Sequence, residues 1–192
     1  MQLPENIWNN KNLFKVLKNN GIVIAPTDTI YGILGKALSE KAVSRIYTAR
    51  KRNPQKPSII LIDNMNELKK FSIILSDKQK NKLKKYWNLA EKPTSIILDC
   101  SDESLAYLHR GTKTLAFRLP ALKSFQNLLA VTGPLIAPSA NPEGLPPAQN
   151  ISEAEKYFGN SVDLYVDGGV ISGRASKVIK LHKDGSVSIL RE

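Results

Sequence analysis

Residues 21–32 read Gly21-Ile22-Val23-Ile24-Ala25-Pro26-Thr27-Asp28-Thr29-Ile30-Tyr31-Gly32, and what stands on either side of them decides the fold class. Residues 22–25 form a short, β-branched apolar run, the pattern of a buried strand, and Pro26 opens a polar turn. Upstream, Leu13, Phe14 and Leu17 recur at helical spacing within residues 12–20, with Gly21 as a natural stop. Downstream, Ser39 is placed to cap a helix carrying Ala42, Val43, Ile46 and Tyr47 on one face, and a dense basic segment then leads to a second strand over residues 58–62. Strand, helix, strand is the building unit of an α/β sheet.

The same reading continues along the chain. Ser76 is expected to cap a lysine-rich helix reaching about residue 86. Strands are expected over 94–98, 114–119 and 135–137, with a helix over 121–131 between the last two. Ser152-Glu153-Ala154-Glu155 reads as a capping box for a helix ending near Phe158-Gly159, and strands over 163–166, 177–181 and 186–190 close the chain. Seven or eight strands with five helices predict an α/β fold, and the all-strand tail predicts a mixed sheet flanked by helices. No repeat of about 20–50 residues interrupts it, so residues 1–192 are expected to form a single domain.

Composition narrows the function. The chain has 192 residues, long enough to bury roughly 70% of its unfolded surface without disulfide or metal support. Cys100 is the one cysteine, and His109 and His182 lack partners at zinc-ligand spacing, so a zinc site and a histidine-based triad are not expected. The longest apolar runs fall far short of the about 18 residues a membrane span needs, and MQLPENIWNN has no signal pattern, so the protein is read as cytoplasmic with no membrane partner. Lys and Arg number 28 against 17 Asp and Glu, a formal charge of +11, which attracts polyanions such as nucleotides or RNA.

Four stretches have the texture of a binding site. Pro26–Gly32 offers two hydroxyls, a carboxylate and a phenol to a polar small molecule, or is an ordinary threonine-capped turn. Gly32-Ile33-Leu34-Gly35-Lys36 lacks Walker spacing. Arg50-Lys51-Arg52-Asn53-Pro54-Gln55-Lys56-Pro57 sets four cations where a triphosphate or polynucleotide would justify them, or where they are merely solvated. Arg118, alone in an apolar strand, meets either a ligand anion or an internal carboxylate. Ser139-Ala140-Asn141 ends a short apolar strand with a hydroxyl and an amide; no elbow motif or base makes Ser139 a nucleophile, so ligand contact is its better use.

In this order, the four stretches resemble the threonylcarbamoyl-AMP synthase family (YrdC/TsaC type) in its short single-domain form. Pro26-Thr27-Asp28-Thr29-Ile30-Tyr31-Gly32 is similar to the family's Pro-Thr-(Glu/Asp)-x-x-(Tyr/Phe)-Gly. Arg50-Lys51-Arg52 with Lys56 is similar to its Lys-x-Arg segment and following Lys, with Arg50 in place of the usual Lys. Ser139-Ala140-Asn141, Arg118 and Leu190-Arg191 complete the pattern. Two further departures are a non-matching stretch after Trp87, where the family often has Trp-Pro-Gly-Pro, and Ser176-Lys177 for a Ser-Thr pair.

The resemblance implies a YrdC-like twisted mixed sheet and an enzyme that joins L-threonine, bicarbonate and ATP into threonylcarbamoyl-AMP, releasing pyrophosphate, for threonylcarbamoyladenosine in tRNA. It implies Arg50 and Arg52 as catalytic residues, and Arg50, Arg52, Lys56, Ser139, Asn141 and Arg191 around ATP. Thr27, Thr29, Tyr31, Arg118 and Ser176 are implied around threonine and bicarbonate. Mg²⁺ is expected to arrive with ATP rather than in a protein-built site. Contact with tRNA and a transient link to the threonylcarbamoyl-transfer complex are the implied partners. The alternative is a basic RNA-binding module of the same fold without adenylate-forming activity.

Overall fold

The computed structural model describes residues 5–88 and 92–192; residues 89–91, within the departure after Trp87, lie outside them. In chain order the elements are α1 (Lys11–Lys18), β1 (Val23–Pro26), β2 (Tyr31–Lys36), α2 (Glu40–Ala49), β3 (Ile59–Leu61), α3 (Asp77–Trp87), β4 (Thr94–Asp99), α4 (Ala106–His109), β5 (Thr114–Arg118), α5 (Lys123–Thr132), β6 (Leu135–Ile136), α6 (Ile151–Phe158), β7 (Leu164–Tyr165), β8 (Lys177–Leu181) and β9 (Val187–Arg191). The strands form one mixed sheet in the order β7-β1-β2-β6-β3-β5-β4-β8-β9. The pairs β1/β7, β3/β5 and β4/β8 run parallel and the remaining neighbours antiparallel.

The helix starts follow the capping residues. Ser39 Oγ accepts the Ala42 N–H, and Ser76 with Gln79 forms a reciprocal capping box. At α6 the cap is Asn150, whose side chain accepts the Glu153 N–H, rather than Ser152 as expected. Glu153 returns the bond by accepting from the Gln149 N–H and the Asn150 side chain, so the box begins two residues earlier.

β2 is not among the expected strands, because Gly32 and Gly35 interrupt its side-chain pattern. The structure pairs Pro26 with Tyr31 and Val23 with Leu34 in a hairpin. The glycines mark close approaches within a strand. A Cβ on Gly35 would meet Ile46 Cδ1 at 3.0 Å and Ile22 Cγ2 at 3.2 Å, and one on Gly32 would meet Thr27 Cγ2 at 3.1 Å and the Pro138 carbonyl at 3.3 Å. Gly35 thus lets α2 lie against the sheet, and Gly32 lets the segment after β6 bridge to β2 through Ser139.

Alternation along the strands sends side chains to two separate cores. Ile24, Ile33, Ile60, Ile96, Phe117 and Ile179 join Val43 and Ile46 of α2, Leu83 of α3 and Phe158 of α6 on one face. Val23, Ala25, Leu34, Leu61 and Leu135 join Leu13 and Leu17 of α1 with Phe125, Leu128 and Leu129 of α5 on the other. This second layer covers only the β1-β2-β6-β3 half. Over β5, β4, β8 and β9 the same face carries Thr114, Ala116, Arg118, Ser95 and Arg191, which are small, polar or cationic, together with the aliphatic Ile97 and Val178. No helix among the described residues is long and apolar enough to cross a membrane.

Trp8, in the 3-10 turn Glu5–Asn9, seals the edge of the second layer by stacking on Phe125 with ring centroids 4.2 Å apart at 12°. Trp8→Ala should destabilise the fold by ~3–5 kcal/mol, the range for deleting a buried large aromatic, read as a shift of the urea midpoint. A loss below ~1 kcal/mol would show that this turn does not help cover the sheet.

Candidate active site

The uncovered half of that sheet face is the floor of two connected cavities. The smaller, of about 190 Å³, is lined by Thr27, Thr29, Tyr31, Arg118 and Ser176, among others. The larger, of about 420 Å³, is lined by Arg50, Arg52, Ser58, Thr112, Thr114 and Val178. Ile59, Pro138, Ser139 and Arg191 border both, so Ser139 and Arg191 stand at the junction.

The β1–β2 hairpin shapes the small cavity. Thr27 Oγ1 accepts from the Thr29 and Ile30 N–H groups, lies 2.7 Å from the Ile30 carbonyl and pairs with Thr29 Oγ1 at 3.0 Å, so one residue organises the loop. Across the sheet Arg118 Nη2 meets Asp28 Oδ1 at 2.8 Å, with both side chains almost wholly buried. Of the two partners the sequence left open for Arg118, the internal carboxylate is the one present. Arg118 Nε nevertheless lies buried with no hydrogen-bond partner among the described residues. Ser176 Oγ pairs with Ser95 Oγ at 2.8 Å, and the Ser176 carbonyl accepts two bonds from Arg191. Burial first, and then the charge of Arg118, lower the pKa of Arg191. Two guanidinium groups therefore sense one another beside this cavity, and an anion between them would relieve the repulsion.

Gly173 lies on the segment that brings Ala175 and Ser176 to the same cavity. A Cβ there would fall 1.9 Å from the Thr29 carbonyl, so only glycine allows the segment between β7 and β8 to cross the hairpin loop. Tyr31 anchors that segment: its hydroxyl donates to the Gly169 carbonyl and accepts the Gly168 N–H. Burial raises the phenol's pKa, and the hydroxyl is occupied by backbone rather than free for a ligand.

In the large cavity Arg50, at the C-terminal end of α2, is buried and points inward. Its Nε donates to the Asn141 carbonyl at 2.9 Å and its Nη2 to Asn141 Oδ1 at 3.2 Å and Ser139 Oγ at 3.3 Å, while Nη1 is buried without a partner among the described residues. Burial and the neighbouring Arg52 lower its pKa to about 10, so it stays a cation at neutral pH. Arg52 donates to the Lys56 and Pro57 carbonyls, folding the basic loop around itself.

Two residues assigned to ATP do not line either cavity. Lys56 reaches Glu143 at 2.6 Å. The Asn141 amide is spent on the Pro142 and Leu145 carbonyls and on Arg50. Sequence reasoning gave no role to Glu143, Ser95 or Gly173, and offered the Asp28 carboxylate to a ligand rather than to Arg118. Asp28 and Glu143 carried a weak signal, each being the one acid inside or beside a motif of otherwise neutral polar residues. Among the described residues no group of three or more His, Cys, Asp and Glu could hold a metal ion.

A family model covering Sua5, YciO and YrdC, described as telomere recombination, matches residues 15–192. The chain belongs to this family. Within it, the threonylcarbamoyl-AMP synthase of Bacillus subtilis is 30% identical over 156 residues, covering 80% of this chain and 44% of that protein. The threonylcarbamoyl-AMP synthase of Stutzerimonas stutzeri is 24% identical over 180 residues, covering 94% of this chain and 96% of its own length. The crystal structure of Pyrococcus abyssi Sua5 complexed with L-threonine is similar with a TM-score of 0.83 at 27% identity, over 100% of this chain and 55% of that one. The chain thus spans about half the length of the Bacillus and Pyrococcus relatives. The mixed sheet flanked by helices is the fold that the family resemblance implied.

Asp28→Ala would leave the Arg118 charge buried and unpaired. A loss of ~3–5 kcal/mol is expected, the range for breaking a buried pair from one side, measured by urea unfolding. A loss below ~1 kcal/mol would mean that water or another group takes over the guanidinium.

Proposed function

We propose that this chain makes threonylcarbamoyl-AMP from L-threonine, bicarbonate and ATP, releasing pyrophosphate. The observation that carries this reading is the junction at Ser139 and Arg191 of a small hydroxyl- and arginine-lined cavity with a larger one lined by Arg50 and Arg52, in a member of a family whose curated relatives bear that enzyme's name.

The chemistry asks for positioning and positive charge rather than a protein nucleophile. The threonine amine and bicarbonate give a carbamate with loss of water. A carbamate oxygen then attacks the α-phosphorus of ATP in line with the departing pyrophosphate, which leaves with its bonding pair. In this assignment Thr27, Thr29 and Ser176 hydrogen-bond threonine and the carbamate. Arg191 at the junction, with Arg118 behind it, offsets their negative charge. Ser176 can donate to the ligand when Ser95 donates to Ser176.

Arg52, Ser139 and the unpartnered Nη1 of Arg50 meet the phosphates. Asn141 and Tyr31 act by holding Arg50 and the segment over the cavity, and Lys56 reaches phosphate only by leaving Glu143. Mg²⁺ enters as part of the MgATP substrate. The product passes to the machinery that transfers threonylcarbamoyl to tRNA in the cytoplasm, with any tRNA contact falling on the basic surface. A module that only binds RNA would have no use for the small cavity around Thr27, Thr29 and Ser176.

Pyrophosphate release should require L-threonine and bicarbonate together, and yield an adenylate of the expected mass. Arg52→Ala should reduce turnover by at least about a hundredfold, the scale of losing one charge-stabilising donor. Its melting temperature should stay within a few degrees, because only two bonds to backbone carbonyls are lost. Full turnover by Arg52→Ala, or release indifferent to threonine, would overturn the assignment.

A further inference from the structure

Beyond Arg52 lies a third cavity, of about 420 Å³, to which the reaction above gives no role. Arg52 is the one residue it shares with the nucleotide cavity. Its wall is built from α2, where Ser44 and Thr48 stand one turn apart on the same side, and from Lys51 and Arg110. The Arg110 guanidinium lies over the Tyr47 ring, 3.9 Å from its centroid. Tyr47 is itself fixed by donating to the Lys56 carbonyl at 2.7 Å.

Two features mark this as more than a solvated basic face. Lys51, Arg52 and Arg110 make no salt bridge among the described residues, although Glu40 lines the same cavity. Arg110 Nε is buried with no hydrogen-bond partner among those residues. Lys51 and Arg110 hold left-handed backbone, with φ of 48° and 52°, a conformation that costs non-glycine residues about 1 kcal/mol or more. Both positions end a helix, α2 and α4, where a left-handed residue is a common termination.

Two guanidinium forks, an ammonium and two hydroxyls suit a ligand with many phosphate oxygens on little else. We propose that this cavity is a second phosphate site whose ligand is inorganic pyrophosphate, passed across Arg52 from the nucleotide cavity so that it departs without crossing the adenylate. The identity of the ligand rests on the proposed reaction; the site itself does not.

The test is calorimetric titration of the full chain with pyrophosphate, without threonine or bicarbonate, after saturation with an ATP analogue whose α,β-bridge is methylene. One further equivalent should bind. Lys51→Asn and Arg110→Asn should each weaken it by about tenfold or more, the size of one lost charge-assisted bond, while the affinity for the analogue stays within about twofold. Asparagine accepts left-handed backbone, so both variants should keep the fold, checked by melting.

Absence of binding to the saturated protein would overturn the proposal, as would variants that leave pyrophosphate affinity unchanged. A parallel titration with a short RNA separates the sources of phosphate. If the variants weaken RNA but not pyrophosphate, the cavity contacts RNA and the proposal fails. Because no turnover is involved, pyrophosphate binding with no threonine-dependent release would overturn the reaction while leaving the site standing.

Discussion

The ligand-facing side of this fold depends on the fork of Arg50. Its bonds to Ser139 and both oxygens of Asn141 tie the end of α2 to the segment after β6. The Glu143 N–H adds a bond to the Arg50 carbonyl at 2.8 Å. Glu143 also takes Lys56 and the Asn53 N–H. Two stretches about ninety residues apart in sequence thereby become one wall. Burying a guanidinium is costly unless it is bonded, so the wall has one low-energy arrangement. Arg50 is a broad planar group that reaches three acceptors at once, and lysine could not reproduce that geometry.

A second constraint is the unequal covering of the sheet. Helices α1 and α5 bury one face over β1, β2, β6 and β3, where strand side chains are large and aliphatic. Over β5, β4 and β8 the corresponding positions are mostly smaller, Thr114, Ala116, Ser95 and Val178 beside Ile97, and Arg118 enters the row. The cavity is thus written into strand residues rather than added by loops. The Asp28–Arg118 pair makes this possible, because it neutralises a cation that the opposite apolar face could not tolerate.

Much of this was legible in the sequence because the signals were local. Ser39 and Ser76 announced their helices, and apolar runs announced β1, β3, β4, β5 and β8. β2 was hidden because Gly32 and Gly35 carry no side chain to show a period, and their reason lies in Ile46 and Pro138, far along the chain. The same limit applied to the site. Residue types placed Arg50, Arg52, Ser139, Arg118 and the two threonines beside a ligand space. They could not show that Lys56 turns to Glu143, that the Tyr31 hydroxyl serves Gly168 and Gly169, or that Ser176 leans on Ser95. Those pairings are set by tertiary contacts between segments distant in sequence.

The lone cysteine has a practical side. Cys100 is 2% exposed, its Sγ lies 3.5 Å from the Phe71 carbonyl, and burial pushes its thiol pKa up. It is therefore a poor nucleophile in the folded state. A cysteine introduced on an exposed position of α3 would be the sole reactive thiol of the native protein. One fluorophore could then be attached without first removing the natural residue, and any labelling of Cys100 itself would report unfolding of the core around Phe71.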